Sequence, residues 1–165
     1  MKFGLIPYQI YTDGSAKGSD YAHRAGGWSF IILYDGCVVA EGSGGENDTT
    51  NQRMELRAAL EGIKNARHLA NNSKDAVFEI YSDSAYLVNC YIQRWYKGWQ
   101  QFGWYNSKNE PVKNQDLWEE LIPCFENLHY SFIKIKGHSK DRWNDRVDKL
   151  AQAAAEQALL AGKEI

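Results

Sequence analysis

Residues 8–15 have the sequence YQIYTDGS, an aromatic and β-branched run that ends in an acid and a glycine. Such residues favour a β-strand, and the Gly14-Ser15 pair predicts that the strand ends there. Asp13 would then lie near the C-terminal tip of this strand. Acids are uncommon in strands, so Asp13 is either a turn-capping residue or one ligand of a metal site. Taken alone, the stretch favours the turn-capping role.

The periodicity of the rest of the chain predicts an α/β fold with the element order β-β-β-α-β-α-α-β-α. The predicted strands cover residues 8–13, 25–34, 37–41, 76–82 and 130–136. The first predicted helix begins at Thr49 or Thr50 and ends at Asn71-Asn72. One or two short helices follow within 85–109, then a helix over 114–128 with a break near Pro123, and a last helix over 142–160. A strand, a helix and a strand in succession usually form a parallel crossover, so Asp13 and Asp83 should reach the same sheet edge.

Length and composition indicate one domain spanning residues 1–165 and no membrane contact. The longest apolar stretch, residues 28–34, is far too short to cross a bilayer. Net charge is −2, which argues against a protein that holds nucleic acid only by its overall field. Three cysteines, Cys37, Cys90 and Cys124, show no metal or redox spacing and are predicted to be reduced core thiols. We therefore expect a cytoplasmic monomer.

Two helices carry acids at the borders of their apolar stripes. Glu55 precedes the apolar Leu56 in the first long helix, and Asp148 follows Val147 on the core side of the last one, three residues after Asp145. The chain has 21 acidic residues, and any one of them is most often a solvated surface charge. We therefore choose the candidates by their positions at strand ends and at the borders of helix stripes: Asp13, Glu55, Asp83 and Asp148.

Four converging carboxylates need a counter-charge, because like charges a few ångströms apart raise one another's pKa. A hard divalent cation supplies it, and oxygen-only ligands select Mg²⁺ or Mn²⁺ over zinc. Two such ions about 4 Å apart activate a water and stabilise a leaving oxygen in phosphodiester cleavage. The chemistry indicated is phosphoryl transfer to water.

The acids lie within a set of short motifs: Tyr11-Thr12-Asp13-Gly14-Ser15, Thr50 to Leu56, Ser82-Asp83-Ser84, Pro111 to Asn114 with Asp116-Leu117-Trp118, Lys136-Gly137-His138, and Asp148 ten residues later. In this order and spacing they resemble type 1 ribonuclease H over residues 8–160. The resemblance implies a ribonuclease H-like fold, with a mixed five-stranded sheet and helices on both faces. It also implies an endonuclease that cleaves the RNA strand of RNA–DNA hybrids, leaving 5′-phosphate and 3′-hydroxyl ends.

The resemblance assigns metal binding to Asp13, Glu55, Asp83 and Asp148, with Asp13 shared between two Mg²⁺ ions when substrate is bound and Mn²⁺ as a substitute. It gives His138 a role in proton transfer or product release. A lone histidine in a loop is otherwise most often a solvated side chain.

The remaining implied roles concern the substrate. Recognition of the 2′-hydroxyl falls to Glu55 and to backbone near Gly14 and Ser15. The other implied contacts are Asn51 and Gln52 with minor-groove base edges, Thr50 and Asn114 with a DNA phosphate, Trp95 and Trp99 with deoxyribose, and Lys97 and Lys113 with further phosphates.

Several of these substrate residues have a structural alternative. Thr50 and Asn114 are also expected as helix N-caps, Asn51 and Gln52 as polar first-turn residues, and the tryptophans as core. Where strongly basic relatives carry a Lys/Arg run, this chain has Gln100-Gln101-Phe102, which predicts weaker hybrid binding.

Two other functions remain open on sequence grounds. One is a DNA-directed nuclease of the same fold, such as a junction resolvase or a transposase-like enzyme. The other is a hybrid-binding module without catalysis. The contiguous Asn51 to Glu55 and Lys136 to His138 motifs argue against the DNA-directed nuclease. The presence of all four carboxylates argues against the silent binding module.

Overall fold

A computed structural model describes residues 5–18, 24–137 and 141–163 of the chain. Its five strands form one sheet in the spatial order β3-β2-β1-β4-β5. Strands β1, β2 and β3 form an antiparallel meander, whereas β4 and β5 run parallel to β1. This is the predicted mixed five-stranded sheet. The strands are β1 (Tyr8–Lys17), β2 (Ala25–Tyr34), β3 (Cys37–Asn47), β4 (Phe78–Ser82) and β5 (Tyr130–Lys134).

Five helices are described: α1 (Asn51–Leu69), α2 (Ala85–Gln93), α3 (Trp95–Gln101), α4 (Gln115–Phe125) and α5 (Arg142–Lys163). The Thr50 hydroxyl oxygen accepts a hydrogen bond from the Arg53 backbone N–H at 3.1 Å and so caps α1. Asn71 and Asn72, at positive φ, follow the end of α1. Both predicted boundaries of this helix are confirmed. Among the described residues, no helix combines the length and apolarity needed to span a membrane.

Alternate residues of β1 point to opposite faces of the sheet, and each face is covered by helices. Ile10 belongs to the larger core, which contains the apolar side of α1 and residues of α2 and α4. Tyr11 belongs to a smaller core with Ile31, Leu33 and Val147, the last of these on α5. Helices therefore cover both faces of the sheet, with α1 on one side of β1 and α5 on the other.

Glycines allow both covering helices to approach the sheet closely. A Cβ atom at Gly14 would lie 2.3 Å from the Met54 carbonyl carbon and 2.4 Å from the Glu55 nitrogen. A Cβ atom at Gly27 would lie 2.3 Å from the Ala151 carbonyl oxygen. Real Cβ atoms do not come this near to backbone, so a side chain at either position would push a helix away. Gly14 thereby fixes how close Glu55 lies to Asp13.

The predicted end of the first strand at Asp13 is wrong. Strand β1 continues to Lys17 because β2 offers a partner along its whole length, from Tyr8 opposite Tyr34 to Lys17 opposite Ala25. The β2 ladder supplies hydrogen bonds through Gly14, which by itself favours a turn. β3 likewise extends to Asn47, well beyond the predicted end, since it pairs with β2 throughout.

Two other predictions also need correction. The helix expected to break at Pro123 continues to Phe125, because a proline near the end of a helix costs only one backbone hydrogen bond before the helix stops. Cys37 is exposed beside the β2–β3 turn, so it is not a core thiol, whereas Cys90 and Cys124 are buried as predicted.

Candidate active site

The parallel register of β1 and β4 brings two of the candidate acids together. Tyr11 lies opposite Tyr81 in the last pair of this ladder, and Asp13 and Asp83 each follow two residues later. The Thr12 hydroxyl donates to the Tyr81 carbonyl oxygen at 3.2 Å and fastens the strands at this point. Asp13 is therefore at the tip of the parallel ladder although it is in the interior of its own strand.

Three carboxylates meet at this edge of the sheet. One oxygen from each of Asp13, Glu55 and Asp83 lies within 4.8 Å of the others. Asp13 is buried, with 5% of its surface exposed, whereas Glu55 and Asp83 are half-buried. Asp148 lies beside Asp13 and shares a hydrogen bond with its carboxyl group, but it is outside the group of three. The structure thus brings all four candidates into one region, and Asp13 is next to each of the other three acids.

Burial and mutual repulsion dominate the electrostatics of the cluster. Burial, followed by the charge of Asp83 and the hydrogen bond and charge of Asp148, raises the pKa of Asp13 from 3.8 to about 9. Burial also raises the pKa of Glu55 from 4.5 to about 7, against the lowering effects of the Ser84 hydroxyl and the Lys134 ammonium. Among the described residues, the Lys134 ammonium only partly offsets the effect of burial on the pKa of Glu55.

Hydrogen bonds to neighbouring elements hold two of the acids in place. The Ser84 hydroxyl oxygen accepts from the Leu87 backbone N–H at 3.1 Å, capping α2, and the same hydroxyl donates to Glu55. Ser29, opposite Asp13 in the β1–β2 ladder, donates its hydroxyl to the Val147 carbonyl oxygen at 2.5 Å. This bond ties α5 to the sheet one residue before Asp148.

The donor set fits a hard divalent cation. Only carboxylate oxygens contribute to the group of three, and such ligands suit Mg²⁺, Mn²⁺ or Ca²⁺ rather than zinc. A dication would also remove the repulsion that raises the pKa of Asp13 and of Glu55. The cluster is therefore a candidate metal centre on chemical grounds as well as geometric ones.

The predicted substrate residues around α1 are at the same end of the sheet. Asn51 accepts a hydrogen bond from the Ala16 backbone N–H at 2.6 Å, which joins α1 to the strand just past Ser15. Gln52 is exposed. Asn114 precedes α4 in a left-handed conformation, with φ of 63°, and makes no side-chain capping bond. Asn114 is thus at the predicted N-cap position, but its side chain does not cap the helix.

Arg53 is a residue to which the sequence assigned no role. Its guanidinium donates to both carboxylate oxygens of Asp116, at 2.9 and 2.7 Å, and to the Asn114 side-chain oxygen at 3.4 Å. The sequence indicated only that Arg53 lies in the first turn of the predicted helix, three residues after Thr50. Its partner could not be identified, since Asp116 is more than 60 residues away in the chain.

The segment predicted to grip DNA is partly used in packing. Trp95 and Trp99 are half-buried against the larger core, and the Trp99 ring lies 5.4 Å from that of Trp118. Lys97 pairs with Glu126 at 3.0 Å, whereas Lys113 is exposed. Both the core and the substrate interpretation of the tryptophans therefore remain compatible with their positions.

His138 lies outside the described residues. The chain leading to it approaches the cluster, because a Cβ atom at Gly137 would lie 3.4 Å from the Asp83 Oδ2 atom.

Comparison with known proteins agrees with this site. Residues 7–156 match the family model described as RNase H. The ribonuclease H of Syntrophomonas wolfei subsp. wolfei is 46% identical over 145 residues, which cover 88% of this chain and 93% of the relative.

Two solved structures have similar folds. LC9-RNase H1, described as a type 1 RNase H with the type 2 active-site motif, superposes with a TM-score of 0.74 at 26% identity, covering 96% of this chain and 76% of that one. LC11-RNase H1, solved in complex with an RNA/DNA hybrid, superposes with a TM-score of 0.64 at 24% identity over 92% and 99% of the two chains. The sheet order, the acidic edge and a family match over nearly the whole chain agree, and the chain belongs to the ribonuclease H family of nucleases.

Proposed function

We propose that the chain is an endonuclease that hydrolyses the RNA strand of RNA–DNA hybrids and leaves 5′-phosphate and 3′-hydroxyl ends. The observation that carries this proposal is the meeting of Asp13, Glu55 and Asp83 within 4.8 Å, with Asp148 beside Asp13. Membership of the ribonuclease H family supports the reaction class. The hybrid bound to LC11-RNase H1 supports the substrate class.

The four carboxylates are proposed to hold two Mg²⁺ ions when substrate is bound, with Mn²⁺ able to replace them. Bound divalent ions supply activation of the attacking water and stabilisation of the leaving oxygen. Asp13 is assigned to both ions because it adjoins Asp148 as well as Glu55 and Asp83. With pKa values of about 9 and about 7, Asp13 and Glu55 retain protons near neutral pH, and these protons leave when a cation binds.

Substrate selection is assigned to the surface next to the cluster. Glu55 and the backbone at Gly14 and Ser15 are proposed to contact the 2′-hydroxyl groups that distinguish RNA from DNA. Asn51 and Gln52, exposed at the start of α1, are proposed to reach minor-groove base edges. These groups sit beside the acids because Gly14 packs directly on the α1 backbone.

The DNA strand is proposed to pass the starts of α1 and α4 and the residues of α3. Thr50 and Asn114 are assigned to one of its phosphates and Lys113 to another, with Trp95, Lys97 and Trp99 along the same path. Lys97 would have to leave Glu126 to meet a phosphate, and its exposed ion pair costs little to break. His138 is proposed to assist proton transfer or product release.

The remaining proposals concern the state of the protein. We propose a single domain over residues 1–165 that acts as a monomer in the cytoplasm. The free thiols of Cys37, Cys90 and Cys124 support a reducing compartment.

A cleavage panel tests the proposed activity. End-labelled RNA–DNA hybrid, double-stranded DNA and double-stranded RNA of one sequence are incubated with protein in Mg²⁺, and product ends are analysed. The proposal predicts cleavage of the RNA strand of the hybrid alone, with 5′-phosphate ends. Cleavage of double-stranded DNA would instead support the DNA-directed nuclease. Hybrid binding without cleavage in either Mg²⁺ or Mn²⁺ would support the silent binding module.

A further inference from the structure

Arg53 connects the two residues assigned to the DNA phosphate. Thr50 precedes α1 and Asn114 precedes α4, and the two helices come from distant parts of the chain. The Arg53 backbone N–H donates to the Thr50 hydroxyl oxygen at 3.1 Å, while its side chain reaches Asn114 and Asp116. One residue thus contacts both halves of the proposed phosphate pocket.

The guanidinium of Arg53 is itself occupied. Its Nε atom lies 3.6 Å from the Glu46 carboxylate, and its two terminal nitrogens donate to Asp116 and Asn114. Hydrogen bonds to Asp116 and Asn114 use three of the five N–H donors of the arginine, and the Glu46 carboxylate forms an ion pair on the Nε side. Two neighbouring carboxylates also neutralise its charge. Arg53 is therefore poorly suited to bind a phosphate directly and well suited to fix other groups.

The contact with Arg53 determines which end of the Asn114 amide is the donor. Arg53 donates to the side-chain oxygen, so the amide nitrogen lies on the other side, 3.5 Å from the Tyr86 hydroxyl. That hydroxyl also accepts from the Trp118 indole N–H at 3.1 Å. An amide nitrogen has two hydrogens, and only one can point to Tyr86. The second is available to a phosphate oxygen.

Thr50 can also donate, although its contact is with the backbone of Arg53 and not with the side chain. Its hydroxyl oxygen accepts from the Arg53 backbone, which leaves the hydroxyl hydrogen free to donate. Any residue except proline would supply this backbone N–H, so the contribution of the Arg53 side chain is to Asn114. The side chain presents Asn114 as a second donor beside Thr50, and an anionic phosphate requires donors.

We propose that Arg53 is a positioning residue for a phosphate of the DNA strand, and that its side chain holds Asn114 as a donor at a fixed separation from Thr50. This inference rests on the proposed function, since it concerns the substrate of the same site. The planar guanidinium group is essential, because a lysine ammonium cannot donate to both oxygens of Asp116 and also to Asn114. Arg53→Gln and Arg53→Lys should therefore raise KM for hybrid by about 10-fold and leave kcat within about 2-fold, since the loss is in binding.

A substrate scan separates positioning from general structural damage. Hybrids are prepared in which one DNA phosphate at a time is a neutral methylphosphonate, and KM is measured for each. In the wild-type protein, one position should raise KM by about 10-fold, because it removes the charge that the pocket binds. In Arg53→Gln and Arg53→Lys, substitution at that position should change KM by less than about 2-fold, since the pocket no longer engages it.

Arg57 provides the matched control. It lies one turn further along α1, pairs with the same Glu46 at 3.6 Å and with Glu61 at 3.0 Å, and has similar exposure. Within the described part of the chain, the ion pairs of Arg57 are with Glu46 and Glu61, not with Thr50 or Asn114. Arg57→Gln should retain the full methylphosphonate effect. Thermal unfolding of each variant verifies folding, and Arg53→Lys decides the question if Arg53→Gln does not fold.

The outcomes are distinct. A wild-type protein that fails to cut unmodified hybrid contradicts the proposed function itself. A wild-type protein that cuts hybrid but shows no sensitive DNA phosphate contradicts the pocket and, with it, the role of Arg53. An undiminished methylphosphonate effect in the folded Arg53 variants, or its loss in Arg57→Gln as well, overturns the inference.

Discussion

Replacement of Asp13 by asparagine should stabilise the metal-free protein at neutral pH. Asp13 is 5% exposed and faces other carboxylates, so ionising it in the folded state is costly. Asparagine has nearly the same volume and can donate to Asp148 as a protonated Asp13 does. The substitution therefore removes the titratable carboxyl group of Asp13 and preserves the packing around it.

The sign and size of the effect follow from the pKa of Asp13, which is about 9 in the folded protein against 3.8 ordinarily. Between these values the folded state binds more protons than the unfolded state, so the free energy of unfolding falls as pH rises. The stabilising contribution is fully present below pH 3.8 and is lost progressively as pH approaches 9. One proton gives a slope of at most about 1.4 kcal/mol per pH unit, or an upper limit of about 4 kcal/mol at pH 7.

Urea unfolding in EDTA at pH 4 and pH 7 measures this directly. We expect Asp13→Asn to exceed the wild type by about 1–4 kcal/mol at pH 7 and by much less at pH 4. Asp145→Asn, an exposed acid in the first turn of α5, is the control and should change stability by less than about 0.5 kcal/mol. Added Mg²⁺ should stabilise the wild type and have little effect on Asp13→Asn. Equal differences at both pH values, or a less stable Asp13→Asn at pH 7, would refute the electrostatic account.

Three further predictions test other parts of the site. Asp83→Asn should lower kcat for hybrid by at least about 100-fold while Kd measured by anisotropy stays within about 3-fold, because it removes a metal ligand from a folded surface; unfolding of this variant would show a structural role instead. His138→Ala should slow turnover by about 10- to 100-fold without abolishing it, and an unchanged rate profile from pH 6 to 9 would exclude proton transfer. Gly14→Ala should cost about 2–4 kcal/mol and reduce activity, since its Cβ would meet the α1 backbone at 2.3 Å, whereas Gly98→Ala, with open space around it, should be neutral or stabilising in the same urea assay.

The sequence predicted those parts of the fold that depend on interactions between residues close together in the chain. The Thr50 cap and the asparagines after Leu69 are side-chain and backbone effects within a few residues, and both are confirmed. The crossover rule predicted that β1 and β4 are parallel neighbours, which is why Asp13 and Asp83 could be placed together from sequence.

The remaining features depend on partners distant in sequence. Strand β1 passes through Gly14 because β2 pairs with it, and no pattern within residues 8–15 records that pairing. The paired hydrogen bonds between Arg53 and Asp116 join the starts of α1 and α4, and the separation of these two helices is set by packing. The half-buried state of Trp99 likewise follows from Trp104 and Trp118, which meet it only in the folded chain.

The central claim is that these carboxylates form a divalent metal centre, and anomalous scattering from Mn²⁺ in crystals of the protein tests it most directly. The account predicts an anomalous peak in contact with Asp13 and with Glu55 or Asp83, at oxygen-to-metal distances of about 2.2 Å. Well-ordered carboxylates with no peak among them, in a protein that still cleaves hybrid in the same Mn²⁺ solution, would contradict it.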